Sequence, residues 1–306
     1  MKPQWEGVYP ALTTKFNADE SIDLPLFSKN IRAQIQAGVQ GLIVGGSLGE
    51  AALLSLKEKE FLVRQALSDA DGIIPVILNI AENSTKEAKA LVEHAEQWGV
   101  HGLMILPPMR YKSDEIETLH WFSTIAQSTT LPIMIYNNPV DYKIEVTPEM
   151  FEKLALYDHI EVVKESTRDV TNVTRMINRF GDRFKILCGV DTIAMEALTM
   201  GAEGWVAGLV NAFPEETVAL YRLVREGRME EALLLHRWFL PLLELDIHPK
   251  LVQYIKLAEA ITGLGSEHVR APRLKLEGEE RKQIVSIIEN ALANKPALPE
   301  FKTVPA

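Results

Sequence analysis

Cysteine is nearly absent from this chain of 306 residues, where Cys188 stands alone. A single thiol forms no intramolecular disulfide and leaves no zinc-finger or Cys-x-x-Cys spacing, so a reducing, cytoplasmic setting is expected. A basic excess is also missing. Lys+Arg number 32 against 42 Asp+Glu, giving a formal net charge of −10, which argues against a phosphate-binding surface and predicts no nucleic-acid partner. No stretch reaches the ~18 apolar residues that span a bilayer, and Met1–Glu6 has no basic segment with an apolar one behind it. Neither secretion nor a membrane partner is expected. The seven histidines show no His-Glu-x-x-His or comparable ligand spacing, so no metal is expected.

The chain does have apolar mass: 47% of residues are hydrophobic and 24% charged, an ordinary globular mixture that predicts a large core. Short apolar runs bounded by turn residues recur at 7–12, 41–44, 75–78, 102–106, 132–136, 160–164, 184–188 and 204–207. Amphipathic stretches lie between them, among them Leu24–Ala37, Leu56–Ala70 and Ser84–Trp98, the last with Ser84 as N-cap and Glu87 three residues on. The runs are too continuous for a one-faced sheet, so each strand is buried on both sides, as in a parallel sheet covered by helices. Eight such units predict an α/β fold, a closed (β/α)₈ (TIM) barrel. The open doubly wound alternative would place Gly-x-Gly-x-x-Gly after the first strand, where the chain reads Ala11-Leu12-Thr13-Thr14. From Glu215 to about Ala293 the pattern is helical, punctuated by Pro241, Pro249 and Gly263-Leu264-Gly265. The expected organisation is a barrel over 1–226 and a C-terminal helical extension over 227–306.

Barrel enzymes carry their chemistry at the C-terminal ends of the strands. The polar residues there are Thr13-Thr14, Gly45–Glu50, Asn79, Tyr136-Asn137, Lys164-Glu165 and Gly189-Val190-Asp191. Lys164 ends an apolar run, and alternation points it inward with Val162; Tyr136, on the preceding strand, faces inward with Met134. A lysine at a strand end can simply snorkel to solvent or pair with Glu161 or Glu165. An amine desolvated beside a phenol is instead a nucleophile towards carbonyls, and a Schiff base is the chemistry this pair suggests. Gly45–Glu50 reads either as a plain strand-to-helix turn or as a cradle in which backbone N–H groups and the Ser47 hydroxyl hold a small carboxylate. Cys188 reads as a small core residue.

Gly46-Ser47-Leu48-Gly49-Glu50, Tyr136-Asn137-Asn138-Pro139, Val163-Lys164-Glu165 and Gly189-Val190-Asp191 occur in the order, and at the strand ends, that resemble the dihydrodipicolinate synthase / N-acetylneuraminate lyase family of class I aldolases. The resemblance covers nearly the whole chain. It implies a Schiff base between Lys164 and pyruvate or another 2-oxo acid, Tyr136 as general acid/base, and Ser47 assisting the proton relay. It further implies that the N–H groups of Ser47 and Leu48 hold the substrate carboxylate, that Val206 adds a backbone contact, and that Gly189 and Asp191 line the pocket. No cofactor is implied, and a homo-oligomer, tetramer or dimer, is.

Three departures bear on substrate. Leu48 stands where the family usually has a second hydroxyl residue. Asp141 stands where the lysine-pathway synthases carry an arginine for the aldehyde's carboxylate, and at the pocket rim it would accept a hydrogen bond from a substrate hydroxyl or ammonium. Met109 cannot relay a proton where those synthases use a tyrosine, and Tyr111 could do so only in a reshaped loop. The expected function is therefore a catabolic aldolase, dehydratase or deaminase on a short 2-oxo or cyclic imino acid, resembling pyrroline-hydroxycarboxylate deaminase. The alternatives are 4-hydroxy-tetrahydrodipicolinate synthase of lysine biosynthesis and a non-catalytic carboxylate-binding barrel.

Overall fold

The computed structural model describes residues 1–108 and 111–301; Met109 lies outside them. Eight strands, β1 (Gly7–Pro10), β2 (Leu42–Val44), β3 (Val76–Ile80), β4 (Gly102–Ile105), β5 (Ile133–Asn137), β6 (Ile160–Glu165), β7 (Lys185–Cys188) and β8 (Gly204–Ala207), pair in parallel in the order β1-β8-β7-β6-β5-β4-β3-β2. The circle closes between β1 and β2 through a parallel bridge from Ala11 to Ile43, where the Leu12 N–H donates to the Ile43 carbonyl at 2.9 Å. Nearly every strand residue is buried, as expected for a sheet enclosed by helices. The architecture is the expected TIM barrel.

The first six helices begin where short polar side chains satisfy the first free N–H groups. Three of them are α1 (Leu24–Ala37), α2 (Leu56–Ala70) and α3 (Thr85–Trp98). Ser84 caps α3 by accepting from the Glu87 N–H at 3.2 Å, and Ser55 forms a reciprocal capping box with Glu58 on α2. The ring continues through α4 (Glu115–Ala126), the short α5 (Pro139–Tyr142), α6 (Pro148–Leu154), α7 (Thr171–Phe180), α8 (Ala194–Thr199) and α9 (Pro214–Arg225). Next come α10 (Met229–Leu243), a 3₁₀ turn at Glu244–Ile247, α11 (Leu251–Thr262) and α12 (Gly278–Ala293).

Two details depart from the expectation. Pro241 lies inside the last turn of α10 instead of ending the helix. Residues 263–277 are not helical; they run back to the barrel as a strap. Arg270 fastens it, reaching Glu58 at 2.7 Å and the Leu53 carbonyl at 2.8 Å. No helix among the described residues is long and apolar enough to cross a membrane.

Candidate active site

The strand register brings the site together. Between β5 and β6 the pairing runs Ile133 with Ile160, then Met134 with Val162, so Glu161 is an extra residue on β6. That irregularity advances β6 by one position and sets Tyr136 opposite Lys164. Without it Asn137 would face the lysine. Glu161 is held from the other end of the barrel by Trp5 Nε1 at 2.7 Å and Lys2 at 2.8 Å.

Lys164 is 6% exposed, and its Nζ lies 3.8 Å from the centre of the Tyr136 ring. Among the described residues nothing accepts a hydrogen bond from that nitrogen. Burial pulls the amine down to about 8, with the carboxylates of Asp246 and Asp191 opposing that shift. Gly189, at the end of β7, supplies the room: a Cβ there would sit 2.6 Å from Lys164 Cε and 2.2 Å from Ser166 Oγ.

Tyr136 is also buried, and burial pushes its phenol up to about 12. Asn138 Nδ2 donates to its hydroxyl at 3.1 Å and to Asp141 at 2.7 Å. Its ring meets Tyr142 edge-on, centroids 5.5 Å apart, and Tyr142 shares a hydrogen bond with Ser47 Oγ at 2.6 Å. The Tyr142 hydroxyl also faces Tyr136, and burial above all holds its pKa well above the usual phenol range. Ser47, Tyr142 and Tyr136 thus form a run of hydroxyls leading to the amine.

The glycine-rich loop is tied from behind, with Asn79 Nδ2 donating to the Gly45 carbonyl at 2.9 Å and Thr14 Oγ1 to the Gly49 carbonyl at 2.6 Å. The N–H groups of Ser47 and Leu48 have no acceptor among the described residues, which suits them to a carboxylate. Glu50 closes the loop from within the core, bound to Lys256 of α11 at 2.6 Å.

These groups surround a cavity of about 350 Å³ that Ser47, Leu48, Tyr136, Asp141, Gly189 and Val206 all line. Asp191, expected among them, is not in its wall. Its carboxylate accepts from Trp205 Nε1 at 2.9 Å and from the N–H groups of Gly208 and Leu209 at 3.1 and 2.8 Å, which holds the turn after β8. Asp141 lies at the rim with its side chain 54% exposed, 3.7 Å from Arg168. Tyr111 is exposed, and its phenol faces Glu117 on α4. Cys188 is buried and its thiol is pushed up to about 12, which makes it an inert core group. Among the described residues no group of three or more His, Cys, Asp or Glu is placed to hold a metal. Thr13, Asn137 and Glu165, the other polar strand-end residues, bond to Glu259, the Val146 carbonyl and the Thr167 N–H. They serve the scaffold.

Among the lining residues that escaped the sequence reading are Tyr142, Arg168, Asp246 and Arg273. Arg168 follows β6 by three positions, close enough for a strand-end search to have found it. Asp246 and Arg273 come from the helical extension, where no strand marks the mouth of the barrel.

A family model described as the dihydrodipicolinate synthetase family matches residues 4–291. Among curated proteins, 4-hydroxy-tetrahydrodipicolinate synthase of Methanopyrus kandleri is 33% identical over 92% of this chain and 94% of that one. The enzyme of the same name from Methanoculleus marisnigri is 30% identical over 94% and 99%. Among solved structures, dihydrodipicolinate synthase DapA-2 of Bacillus anthracis superposes with a TM-score of 0.90 at 27% identity, covering 94% of this chain and 99% of that one. YagE, a prophage protein of the dihydrodipicolinic acid synthase family from E. coli K12 solved in complex with pyruvate, gives 0.88 at 28%, with the same coverage.

Proposed function

The chain belongs to the dihydrodipicolinate synthetase family, and from that premise we propose that it is a Schiff-base lyase in which Lys164 condenses with a pyruvate-like 2-oxo acid. The observation that carries this reading is the desolvated Lys164 amine 3.8 Å above the Tyr136 ring, at the mouth of a barrel.

The substrate carboxylate binds the free N–H groups of Ser47 and Leu48, which sets its keto carbon near Lys164. The neutral amine adds to that carbon, and Tyr136 supplies the proton with which the carbonyl oxygen leaves as water. Tyr142 and Ser47 return a proton to Tyr136. The resulting iminium is an electron sink, so bonds at the next carbons can be made or broken through the enamine. Asn138 and Asp141 position Tyr136. The barrel of 1–226 and the extension of 227–306 act as one unit on this reading, since Asp246 and Arg273 line the same cavity as Lys164.

For the second substrate, two observations point in different directions. The relatives' names support 4-hydroxy-tetrahydrodipicolinate synthase. The acids Asp141 and Asp246 in the cavity wall favour a catabolic dehydratase or deaminase, akin to the pyrroline-hydroxycarboxylate enzyme, acting on a substrate with one carboxylate. We propose a cytoplasmic homo-oligomer; the lone buried Cys188 suits that compartment.

Incubation with pyruvate and borohydride, followed by intact mass measurement, tests the reading. The expected result is a covalent adduct that disappears in Lys164→Ala. An unchanged wild-type mass with pyruvate and a panel of other 2-oxo acids would leave a carboxylate-binding barrel without chemistry.

A further inference from the structure

Asp191 and Asp246 both approach the turn after β8, and they are used differently. Asp191 is saturated by three N–H donors. Asp246, from the 3₁₀ turn after α10, lines the cavity and has no hydrogen-bond donor among the described residues. It lies against Gly208, where a Cβ would come within 2.2 Å of its Oδ1 and 2.9 Å of Leu48 Cδ1. Gly208 therefore makes room for an acid at the end of β8 as Gly189 makes room for the amine at the end of β7. Leu48 flanks that acid with a hydrocarbon surface in place of a hydroxyl that could bond it.

Resting on the Schiff-base reading, we infer that Asp246 receives the C4 substituent of a 2-oxo acid and protonates it as it leaves, so that the substrate class is a monocarboxylic 2-oxo acid with a hydroxyl or amino group on C4. In the imine, C2 is the electron sink. The C3 proton passes to the Tyr136, Tyr142 and Ser47 hydroxyls and on to water, and its electron pair forms the C2–C3 double bond of the enamine. That pair then moves to C3–C4, the C2–nitrogen pair re-forms the iminium, and the C4–O or C4–N bond breaks. The departing group takes the Asp246 proton and leaves as water or ammonia. Solvent returns a proton to Asp246, and hydrolysis of the unsaturated imine frees Lys164. No oxidant or reductant is consumed.

Charge around Asp246 supports a held proton. Burial lifts its pKa well above the carboxylate range, Asp191 and Asp141 lift it further, and Lys164 and Arg168 oppose them. A neutral amine beside a neutral acid is the state in which that pair can attack a ketone and later donate.

The test uses 4-hydroxy-2-oxopentanoate and its 4-amino analogue, reading formation of 2-oxopent-3-enoate and release of ammonia. The wild type is expected to eliminate from at least one of them, and Asp246→Asn to lower kcat by ~10²–10⁴, the contribution of a general acid. The high-pH limb of the wild-type profile, where Asp246 loses its proton, should vanish in that variant, and Asp246→Glu should restore part of the rate. Leu48→Thr, which offers Asp246 a hydrogen bond, should move the high-pH limb downward, and it provides the test if Asp246→Asn does not fold. A wild type that forms the pyruvate adduct yet eliminates from neither probe, or an Asp246→Asn enzyme with wild-type kcat and profile, would overturn the assignment alone. Absence of any adduct in the wild type would instead defeat the Schiff-base reading.

Discussion

The hydroxyls of Ser47 and Tyr142 lie 2.6 Å apart, and both belong to the same chain: Ser47 follows β2, and Tyr142 ends α5. Family resemblance places a tyrosine for this relay in the loop after strand four, where Tyr111 points instead towards Glu117. On the proposed mechanism Tyr142 takes that role from a different element. Tyr142→Phe should lower kcat by ~10²–10⁴, as loss of a proton-relay group does, while pyruvate is still trapped on Lys164. Steady-state kinetics beside adduct mass measure both. Unchanged kcat would remove Tyr142 from the relay.

Burying Lys164 has a consequence for stability. Its amine titrates near 8 in the folded protein and near ~10.4 unfolded, so between those values the unfolded chain binds more protons and stability rises with pH. The cost of the buried ammonium is fully present below about 8 and fades above it. Lys164→Met should therefore raise Tm at pH 7, with the gain over wild type shrinking as pH climbs through 10. A lower Tm at pH 7 would mean that the amine's environment is better solvated than its 6% exposure indicates.

Glu50 and Lys256 form an ion pair whose side chains are fully buried, and the same glutamate accepts from the Arg270 N–H at 3.2 Å. The pair joins the glycine-rich loop, α11 and the strap of 263–277. Removing Lys256 leaves the buried Glu50 charge with only the Arg270 N–H and the more distant Arg273 at 3.6 Å, so Lys256→Met should cost about 3 kcal/mol in urea unfolding. Adding Glu50→Gln to that variant should recover much of the loss. Equal, additive losses in the single and double variants would show that the pair is not coupled.

Much of this was legible because burial on both faces writes a strand as a continuous apolar run. Lys164 stood out as a cation ending such a run, and Tyr136 as a phenol ending its neighbour. Alternation within each strand could not disclose the extra residue at Glu161, because irregularity in pairing belongs to two strands at once. Tyr142 was hidden beside Asp141, one position further along a four-residue helix whose turn swings it inward. Asp246 and Arg273 were beyond reach for a different reason. Only the return of the C-terminal helices across the barrel mouth puts residues so distant in sequence beside Lys164, and that docking has no local signature.

Asp141 places a negative charge at the rim, and it stands 3.7 Å from Arg168, partly neutralising the guanidinium nearest to it. Arg168 comes from the loop after β6, so it could take over the task of the arginine missing at position 141 if its charge were released. Asp141→Asn removes the opposing charge but keeps an acceptor and donor for Asn138, so Tyr136 should stay in position. We expect the variant to lower KM for pyruvate's condensation with aspartate semialdehyde by on the order of tenfold, about 1.4 kcal/mol, with kcat little changed. Both groups are substantially exposed, so raising ionic strength should shrink the gain. Efficient condensation by the wild type, with the same KM in Asp141→Asn, would show that the acidic rim does not select substrate and would favour the biosynthetic reading carried by the relatives' names.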